Sequence, residues 1–267
     1  MFTVSAKSYL LHLYILFICE FDCGSQSLKM SPLQFIHLIL LTITTTVFNL
    51  GYSQERGDWS YIVFTLSWPP SFCSSVKCKL PPGMNDFNIH GLWPSVWPGK
   101  QPTNCSAYIP FDSSRLQAIR SQLDTAWVNM KDYKDPTPFW EHEWYKHGQC
   151  ATEDILIHNE LGYFNTSLVL KEKIDLLNKL ELYGIKPENS KPIDNNQFSE
   201  ALKKAYNVRV LFTCTHKHRH KHNRLAKLDE VRLCFNPQLE FIDCPSHEIE
   251  ENKQCPERFI FLEFNSE

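Results

Sequence analysis

The sequence predicts an α+β fold, because segments with helical periodicity in the middle of the chain lie between strand-like segments towards its two ends. Short runs of β-branched and aromatic residues occur near residue 61 and again from residue 208 onwards, and apolar residues recur three or four positions apart between them. No Gly/Ser linker and no internal repeat interrupts the chain after residue 53. We therefore expect one domain over residues 54–267.

The predicted strands come in two groups. Residues 61–66 are β-branched and aromatic, which is typical of a core strand. A proline-rich loop follows over residues 69–83, and residues 87–93 then alternate polar and apolar side chains, which predicts a second strand that stops at Pro94. The second group consists of the apolar runs 208–212, 231–235 and 259–262.

Four helices are predicted between these groups. Residues 113–127 have an apolar stripe, with Ser113 as the expected N-cap. Pro138 is expected to open a second helix that ends at Gly148. Residues 168–182 predict a third helix ending at Gly184, and residues 198–206 a shorter fourth one.

The first 53 residues are predicted to be a signal-peptide region. Of two apolar patches here, the second follows a lysine and leads into small and polar residues, which is the secretory pattern. Met30 precedes it, so residues 30–53 fit the signal and residues 1–29 an upstream extension of the coding sequence. A membrane anchor is the alternative, but His37 and several threonines make this patch a poor span. We expect export and no membrane attachment after signal removal.

The cysteine content agrees with export. Eight of the ten cysteines follow the leader, and an even number in an exported chain predicts a disulfide framework. The close double pair that a zinc ribbon needs is missing from the sequence. Triplets beginning at Asn104 and Asn165 match the N-glycosylation acceptor pattern, although such triplets also arise by chance.

The charge balance limits how RNA could be bound. The chain has 27 Lys and Arg against 30 Asp and Glu, giving a formal net charge of −3. Proteins that bind nucleic acid mainly through its phosphates are usually basic. Any RNA recognition must therefore depend on a local site.

Two short segments carry the candidate chemistry: His90-Gly91-Leu92-Trp93-Pro94, and residues 139–148, FWEHEWYKHG. In a helix, Glu143 and His147 are four residues apart, and so are His142 and Lys146. One helical face is therefore expected to present a carboxylate, an ammonium and two imidazoles. His90, on a strand, is expected to face them across a cleft.

Two other interpretations of the second segment are weaker. A zinc-protease signature needs a second histidine four residues after His142, and Lys146 stands there. His147 is one residue further and rotated round the helix. A solvated charged helix would explain a single His–Glu pair, but it does not explain three histidines, a glutamate and a lysine among five aromatic residues.

This set of side chains suits RNA cleavage by internal transfer. One histidine removes a proton from a ribose 2′-hydroxyl and another donates a proton to the departing 5′-oxygen. Lys146 and a protonated His142 can stabilise the charge that grows on the phosphate. We expect no metal and no cofactor, and no reaction with DNA, which lacks the 2′-hydroxyl.

The two segments resemble the paired active-site signatures of the ribonuclease T2 family, His-Gly-Leu-Trp-Pro and Trp-x-x-Glu-Trp-x-Lys-His-Gly. They occur in the right order and about fifty residues apart, and the resemblance covers the whole region after the leader. It implies a central antiparallel sheet packed by helices. It also implies four disulfides, which pair Cys73 with Cys78, Cys105 with Cys150, Cys214 with Cys255, and Cys234 with Cys244.

The resemblance also implies a role for each site residue. His147 would be the general base and His90 the general acid. Glu143 and Lys146 would stabilise the transition state, and His142 would hold the phosphate. The implied partner is single-stranded RNA, bound by a monomer.

The family's base-binding positions fall on Phe139, Trp140, Asn129 and Met130, where an aromatic ring can stack on an unpaired base. Core packing is the alternative role for Trp140 and for Trp144, and for Trp144 we favour it. Many plant members carry glutamine just before Trp68-Pro69, where this chain has Leu66-Ser67, so base preference is not predicted.

Residues 216–222, HKHRHKH, are not a family feature. They could bind a metal or an anion, but a solvated loop between strands is favoured.

The overall pattern is most similar to plant members, which include extracellular or vacuolar enzymes and the pistil enzymes of self-incompatibility. Residues 228–234 and 241–245 resemble the pistil class, whereas the net charge does not. A catalytically silent binding or storage protein is the other alternative, and the presence of both His90 and His147 argues against it.

Overall fold

The computed structural model describes residues 59–97, 102, 109–152, 157–215, 225–249 and 253–264. The predictions for residues 1–53, for Asn104, for Cys105 and for the segment 216–222 lie outside the described residues. Within the described residues, no helix is long and apolar enough to cross a membrane.

Seven strands occur in the described ranges: β1 (Tyr61–Ser67), β2 (Asn88–Ser95), β3 (Glu188–Asp194), β4 (Leu211–Thr215), β5 (Lys227–Phe235), β6 (Phe241–Ile242) and β7 (Arg258–Phe261). They form a sheet in the order β2-β1-β5-β7-β3, and β4 and β6 also pair with β5. All pairings are antiparallel except the short one between β5 and β7. The prediction of an α+β fold is confirmed, and the sheet that we expected to be antiparallel is so except at the pairing of β5 with β7.

The helices in the described ranges lie mainly between β2 and β4. They are α1 (Pro69–Cys73), a 3-10 helix (Ser113–Ile119) that continues as α2 (Arg120–Ala126), α3 (Thr137–Glu143), a π-helix (Trp144–Gly148), α4 (Gln149–Ala151), α5 (Glu160–Ile174), α6 (Leu176–Leu182), α7 (Asn195–Tyr206) and a second 3-10 helix (Ser246–Glu248).

Strand β1 is buried along its whole length, because β2 and β5 flank it and both of its faces are covered. Ile62, Phe64 and Leu66 enter the main core, whereas Tyr61 and Val63 pack in a smaller cluster on the other face. This burial on both faces explains why the strand is an almost continuous apolar run.

Aromatic side chains fill the core between the sheet and the helices. Trp140 and Trp144 are completely buried. The indole of Trp140 donates a hydrogen bond to the carbonyl of Trp127 (2.8 Å), and that of Trp144 donates to the carbonyl of Ile109 (2.8 Å). Core packing is therefore confirmed for Trp144.

Several element boundaries differ from the predictions. Strand β2 continues through Pro94 to Ser95, because it lies at the end of the sheet order, where proline's missing N–H is tolerated. The N-cap before Ser113 is Asp112, whose carboxylate accepts from the N–H of Ser114. The segment from Ser113 starts as a 3-10 helix rather than as an α-helix.

The other helix predictions also need correction. The helix that we expected at residue 168 begins at Glu160, and it breaks at Asp175, whose φ of 46° is left-handed. Helix α3 does not end at Gly148, since the chain continues through the π-helix into α4. Helix α1 lies inside the predicted proline-rich loop, and β3 was not predicted.

Three of the four expected disulfides lie within the described residues: Cys73–Cys78, Cys214–Cys255 and Cys234–Cys244. These three pairings are confirmed. The fourth expected pair includes Cys105, which is not described.

Candidate active site

His90 lies at a bulge in β2. Thr65 of β1 pairs with Gly91 and Leu66 pairs with Ile89, so His90 has no residue opposite it. Bulges next to active sites commonly redirect one side chain. About one third of the His90 side chain (34%) is exposed, and its ring edge lies within reach of two carboxylates.

Gly91 allows β2 and α3 to approach each other closely. A Cβ atom on Gly91 would lie 2.2 Å from Oε2 of Glu143 and 2.2 Å from Nε1 of Trp93. These two atoms form a hydrogen bond, in which the indole N–H donates to the carboxylate at 2.9 Å. Only glycine leaves room for this bond, which explains the His-Gly-Leu-Trp spacing in physical terms.

His90 lies between the two carboxylates. Its Nδ1 is 2.6 Å from Oε1 of Glu230 on β5, and its Nε2 is 3.9 Å from Oε1 of Glu143 on α3. The first distance is that of a hydrogen bond, whereas the second leaves Nε2 without a close bond to Glu143. The ring is therefore held at Nδ1 and directs Nε2 towards the helical segment.

The second motif does not form one regular helical face. Helix α3 changes to a π-helix at Trp144, which widens the turn. Glu143 and His147 are buried, whereas His142 and Lys146 are exposed. The expectation of a single face that presents all four groups is therefore only partly met: one pair points inwards and the other outwards.

The ring of Trp93 lies between His90 and His147. Its ring packs against His147, with centroids 5.2 Å apart and the planes 31° from parallel, and against the edge of His90, with centroids 5.0 Å apart. His90, Trp93 and His147 thus form a continuous aromatic cluster beside Glu143.

A pocket of about 540 Å³ opens beside His90 and Glu143. Among the predicted site residues, its lining includes His90, Glu143, His142, Phe139, Asn129 and Met130. His147, Lys146 and Trp140 are not part of this lining; His142 and Lys146 together line a shallow depression next to it. Among the described residues, no group of three or more His, Cys, Asp or Glu side chains is arranged to hold a metal ion.

The wall that carries Asn129 and Met130 is fixed by Asn88 of β2. The Asn88 amide donates to the carbonyl of Val128 (3.0 Å) and accepts from its N–H (2.7 Å). The Asn129 side chain donates to the carbonyl of Asp135 (2.7 Å) and accepts from the N–H of Lys131 (3.2 Å). Its amide is therefore already engaged in shaping the loop.

The two aromatic residues predicted to bind a base differ in exposure. Phe139 is half-buried in the pocket wall, with its ring centroid 6.0 Å from that of His90. Trp140 is completely buried in the core and presents no surface to the pocket. In this conformation Trp140 cannot stack on a base, so its predicted contact with RNA needs correction to core packing.

His90 and His147 have opposite protonation preferences. Burial lowers the pKa of His147 to about 2, and the charges of Lys146, His90 and His142 act in the same direction. Burial also disfavours the charged form of His90, but the hydrogen bond and the charge of Glu230 outweigh it and raise the pKa of His90. The surroundings therefore favour the neutral form of His147 and the charged form of His90.

The carboxylates respond to the same surroundings. Burial raises the pKa of Glu143. Burial opposes ionisation of Glu230 too, yet the hydrogen bond from His90 and the charges of His90 and Arg232 hold the pKa of Glu230 at about 2. Burial and the charge of Glu230 raise the pKa of Asp229 to about 6.

Three residues of this site were not found from the sequence: Asp229, Glu230 and Arg232, all on β5. The available signal was charged residues that alternate with Leu228, Val231 and Leu233 in a strand-like run. In the β4–β5 ladder, Thr213 pairs with Glu230 and Cys214 with Leu228, so Asp229 lies at a second bulge. Both bulges turn side chains towards the same pocket.

Asn165 is exposed on α5. It lies at the edge of a larger groove of about 750 Å³, which also contains the ion pair of Lys171 and Asp86. None of the predicted catalytic residues lines this groove.

Comparison with known proteins gives one consistent result. A family model described as "Ribonuclease T2 family" matches residues 59–244. "Ribonuclease Oy" of Magallana gigas is 33% identical over 207 residues, which cover 77% of this chain and 96% of the relative. "Ribonuclease 1" of Arabidopsis thaliana is 34% identical over 213 residues, which cover 77% of this chain and 88% of the relative.

A solved structure agrees with these matches. Ribonuclease MC1 from the seeds of bitter gourd superimposes with a TM-score of 0.64 at 29% identity, covering 76% of this chain and 100% of that chain. Other crystal structures of RNase MC1 are complexes with 5′-UMP and with 5′-GMP.

Proposed function

Because the chain belongs to the ribonuclease T2 family and is therefore a T2-type endoribonuclease, we propose that it cleaves single-stranded RNA by metal-independent acid–base transfer between two histidines. The first step forms a 2′,3′-cyclic phosphate. The observation that carries this proposal is the placement of two histidines on the two sides of Trp93, where burial favours the neutral form of His147 and Glu230 favours the charged form of His90.

His147 acts as the general base. A general base must be unprotonated before it can take the proton of the ribose 2′-hydroxyl, and burial keeps His147 in that form. The 2′-oxygen then attacks the adjacent phosphorus. Because His147 is almost completely buried (4% exposed), the substrate or a small side-chain movement must bring the hydroxyl to it.

His90 acts as the general acid. Nδ1 is bonded to Glu230, so the proton for the departing 5′-oxygen comes from Nε2 on the pocket side. As this proton moves to the 5′-oxygen, the P–O5′ bond breaks and the cyclic phosphate is left. His90 is neutral after this step, and His147 carries the proton that came from the 2′-hydroxyl.

Three further side chains are assigned to the phosphate and the negative charge that develops on it. Lys146 and His142 lie on the exposed side of the helical segment, at the depression next to the pocket, where a phosphate can reach them. Glu143 lies deeper and faces Nε2 of His90 at 3.9 Å. We assign transition-state stabilisation to Glu143 and Lys146, and phosphate binding to His142.

The base next to the cleaved bond binds in the pocket of about 540 Å³. Phe139 supplies the stacking surface, and Asn129 and Met130 form a further part of the pocket lining. RNase MC1 variants form complexes with 5′-UMP and with 5′-GMP, which supports nucleotide binding by a member of this family.

We further propose that the enzyme is exported, to the extracellular space or the vacuole, acts as a monomer, and is glycosylated at Asn165. Three disulfides support an oxidising compartment, and the exposure of Asn165 suits a glycan. A self-incompatibility role remains the alternative; identities of 33% and 34% to an oyster and a plant enzyme do not separate these roles. Expression confined to the pistil would favour it.

The products test the proposed mechanism. Single-stranded RNA is incubated with the disulfide-bonded protein in EDTA, beside the same oligonucleotide with one 2′-deoxyribose at the cleaved position. We expect a 2′,3′-cyclic phosphate end, detected by mass spectrometry, and no cleavage at the 2′-deoxy position. A 5′-phosphate product, or cleavage at the deoxy position, would contradict internal transfer.

A further inference from the structure

We propose that Glu230 is a positioning residue for His90: it holds the imidazole with the proton of the neutral ring on Nδ1, so that Nε2 faces the pocket. This inference rests on the proposed function, since it gives His90 the role of general acid. Glu230 does not touch the reacting atoms in this arrangement and acts only through the histidine.

The carboxylate of Glu230 is shared between two partners. Oε1 is 2.6 Å from Nδ1 of His90, and Oε2 accepts from Nη2 (2.8 Å) and Nε (3.3 Å) of Arg232. The side chains of Glu230 and Arg232 are 12% and 11% exposed, so water screens this pair only weakly. The carboxylate is therefore fixed at one end while the histidine occupies the other.

Arg232 is itself held from two further directions. Its guanidinium carbon lies 5.3 Å from the centroid of the Trp93 ring, and its Nη1 donates to the carbonyl of Glu248. The carboxylate of Glu248 accepts from the hydroxyl of Tyr61. A connected series of contacts thus runs from β1 through the end of the second 3-10 helix to His90, and each member limits the movement of the next.

Other charged groups also face His90, and they act in different directions. Glu143 on α3 favours the charged imidazole, as Glu230 does, whereas Arg232 opposes it. His142 on α3 and His147 on the π-helix each lie close enough to interact with His90 electrostatically, and so does Asp229 on β5. Among these groups, Glu230 makes the hydrogen bond to the ring.

The contact with Glu230 limits rotation of the His90 ring, which a partly exposed histidine on an edge strand would otherwise undergo. A ring that is one-third exposed could turn about its χ2 angle and exchange Nδ1 with Nε2. A carboxylate bonded at Nδ1 opposes that turn and favours the protonated ring, as carboxylates that accept from the far nitrogen of functional histidines do elsewhere. The ion pair between Glu230 and Arg232 can form without His90, so the hydrogen bond between Glu230 and the imidazole is a separate interaction.

The test compares Glu230→Gln with Glu230→Asp, and uses Glu257→Gln as the matched control, because Glu257 is an exposed carboxylate outside the site. The pH dependence of kcat/KM is measured on a dinucleotide substrate together with the thermal unfolding midpoint. Loss of the negative charge should move the alkaline limb of the Glu230→Gln profile to lower pH by about one unit. Glu230→Asp keeps the negative charge, so its alkaline limb should lie close to that of the wild-type protein. Glu257→Gln should leave the profile unchanged.

A second measurement does not depend on the stability of a variant. The ¹⁵N shifts of His90 in the wild-type protein, assigned by their loss in His90→Asn, report which nitrogen carries the proton in the neutral ring. We expect the proton on Nδ1. A proton on Nε2, or an unshifted alkaline limb in folded Glu230→Gln, would overturn the positioning role. The activity of His90→Ala separates failure of the mechanism from failure of the positioning role. An active His90→Ala enzyme would refute the two-histidine mechanism itself. An inactive His90→Ala enzyme, together with an unshifted Glu230→Gln profile, would refute only the role of Glu230.

Discussion

The indole of Trp93 donates a hydrogen bond to the carboxylate of Glu143 at 2.9 Å, and this bond occupies the space that a Cβ atom on Gly91 would need. This bond joins β2, which carries His90, to the helical segment that carries His147. The two halves of the site are therefore held in register by a contact that needs a glycine on the strand.

Gly91→Ala should disrupt this contact. The new Cβ would lie 2.2 Å from both atoms of the hydrogen bond, so Trp93 or Glu143 must move. Displacement of catalytic groups by about 1 Å commonly costs about 100-fold in rate, and we expect a loss of kcat of that order. The measurement is steady-state kinetics on single-stranded RNA, with circular dichroism to establish that the variant is folded. Wild-type kcat in a folded Gly91→Ala protein would show that the bond is not needed.

Phe139 and Trp140 should separate substrate binding from stability. Phe139→Ala removes a half-buried ring from the pocket, and we expect RNA binding to weaken about tenfold, since base–aromatic stacking contributes about 1–3 kcal/mol. Trp140→Ala removes a fully buried ring and should instead lower the free energy of unfolding by about 3–5 kcal/mol. Fluorescence anisotropy with a labelled oligonucleotide and urea unfolding measure the two effects. Weaker RNA binding by Trp140→Ala, with an unchanged free energy of unfolding, would instead support Trp140 as a base-binding residue.

Burial of neutral His147 should make the protein less stable as the pH falls. The folded-state pKa is about 2 and the ordinary value is 6.5, so below pH 6.5 the unfolded chain binds a proton that the folded protein does not. This one group should reduce the free energy of unfolding by about 2 kcal/mol between pH 7 and pH 5. His147→Gln should remove that slope, and His158→Gln, at an exposed position, should keep it. Equal slopes in all three proteins, measured by denaturant unfolding, would place His147 in a solvated environment.

The disulfides should contribute according to the loops that they close. Cys214–Cys255 spans 41 residues and Cys73–Cys78 spans 5. Loop entropy predicts a loss of about 4 kcal/mol when both cysteines of the first pair are replaced by alanine, and about 2 kcal/mol for the second pair. Denaturant unfolding of the two double variants tests this order. A larger loss from the short loop would show that native contacts near Cys73 outweigh chain entropy.

The sequence predicted the parts of the site that depend on local spacing. His90 and Glu143 were both assigned from motifs, and they lie 3.9 Å apart between Nε2 and Oε1. Glu230 was missed because its contact depends on the register of β1 with β5, in which Ser67 pairs with Glu230. Nothing local in residues 227–235 specifies that register.

The differences in the fold have similar causes. Strand β3 contains Pro192 and mostly polar residues, so it lacks the apolar alternation that predicts a strand. The π-helix at Trp144 leaves no signal in helical periodicity, yet it decides which of the four polar groups of the motif point inwards. Trp140 was assigned to the pocket by position in a motif, whereas its burial depends on the packing of Trp127 and Phe164 around it.

The most direct test of the account is the activity of His90→Ala and His147→Ala on single-stranded RNA in EDTA, with His158→Ala as the matched control. General acid and base catalysis each contribute about 10²- to 10⁴-fold, so we expect kcat/KM to fall by at least that range in the two site variants and to remain at the wild-type level in the control. Each variant must retain the wild-type far-ultraviolet spectrum. Folded variants of both histidines that cleave RNA at the wild-type rate would contradict the two-histidine mechanism.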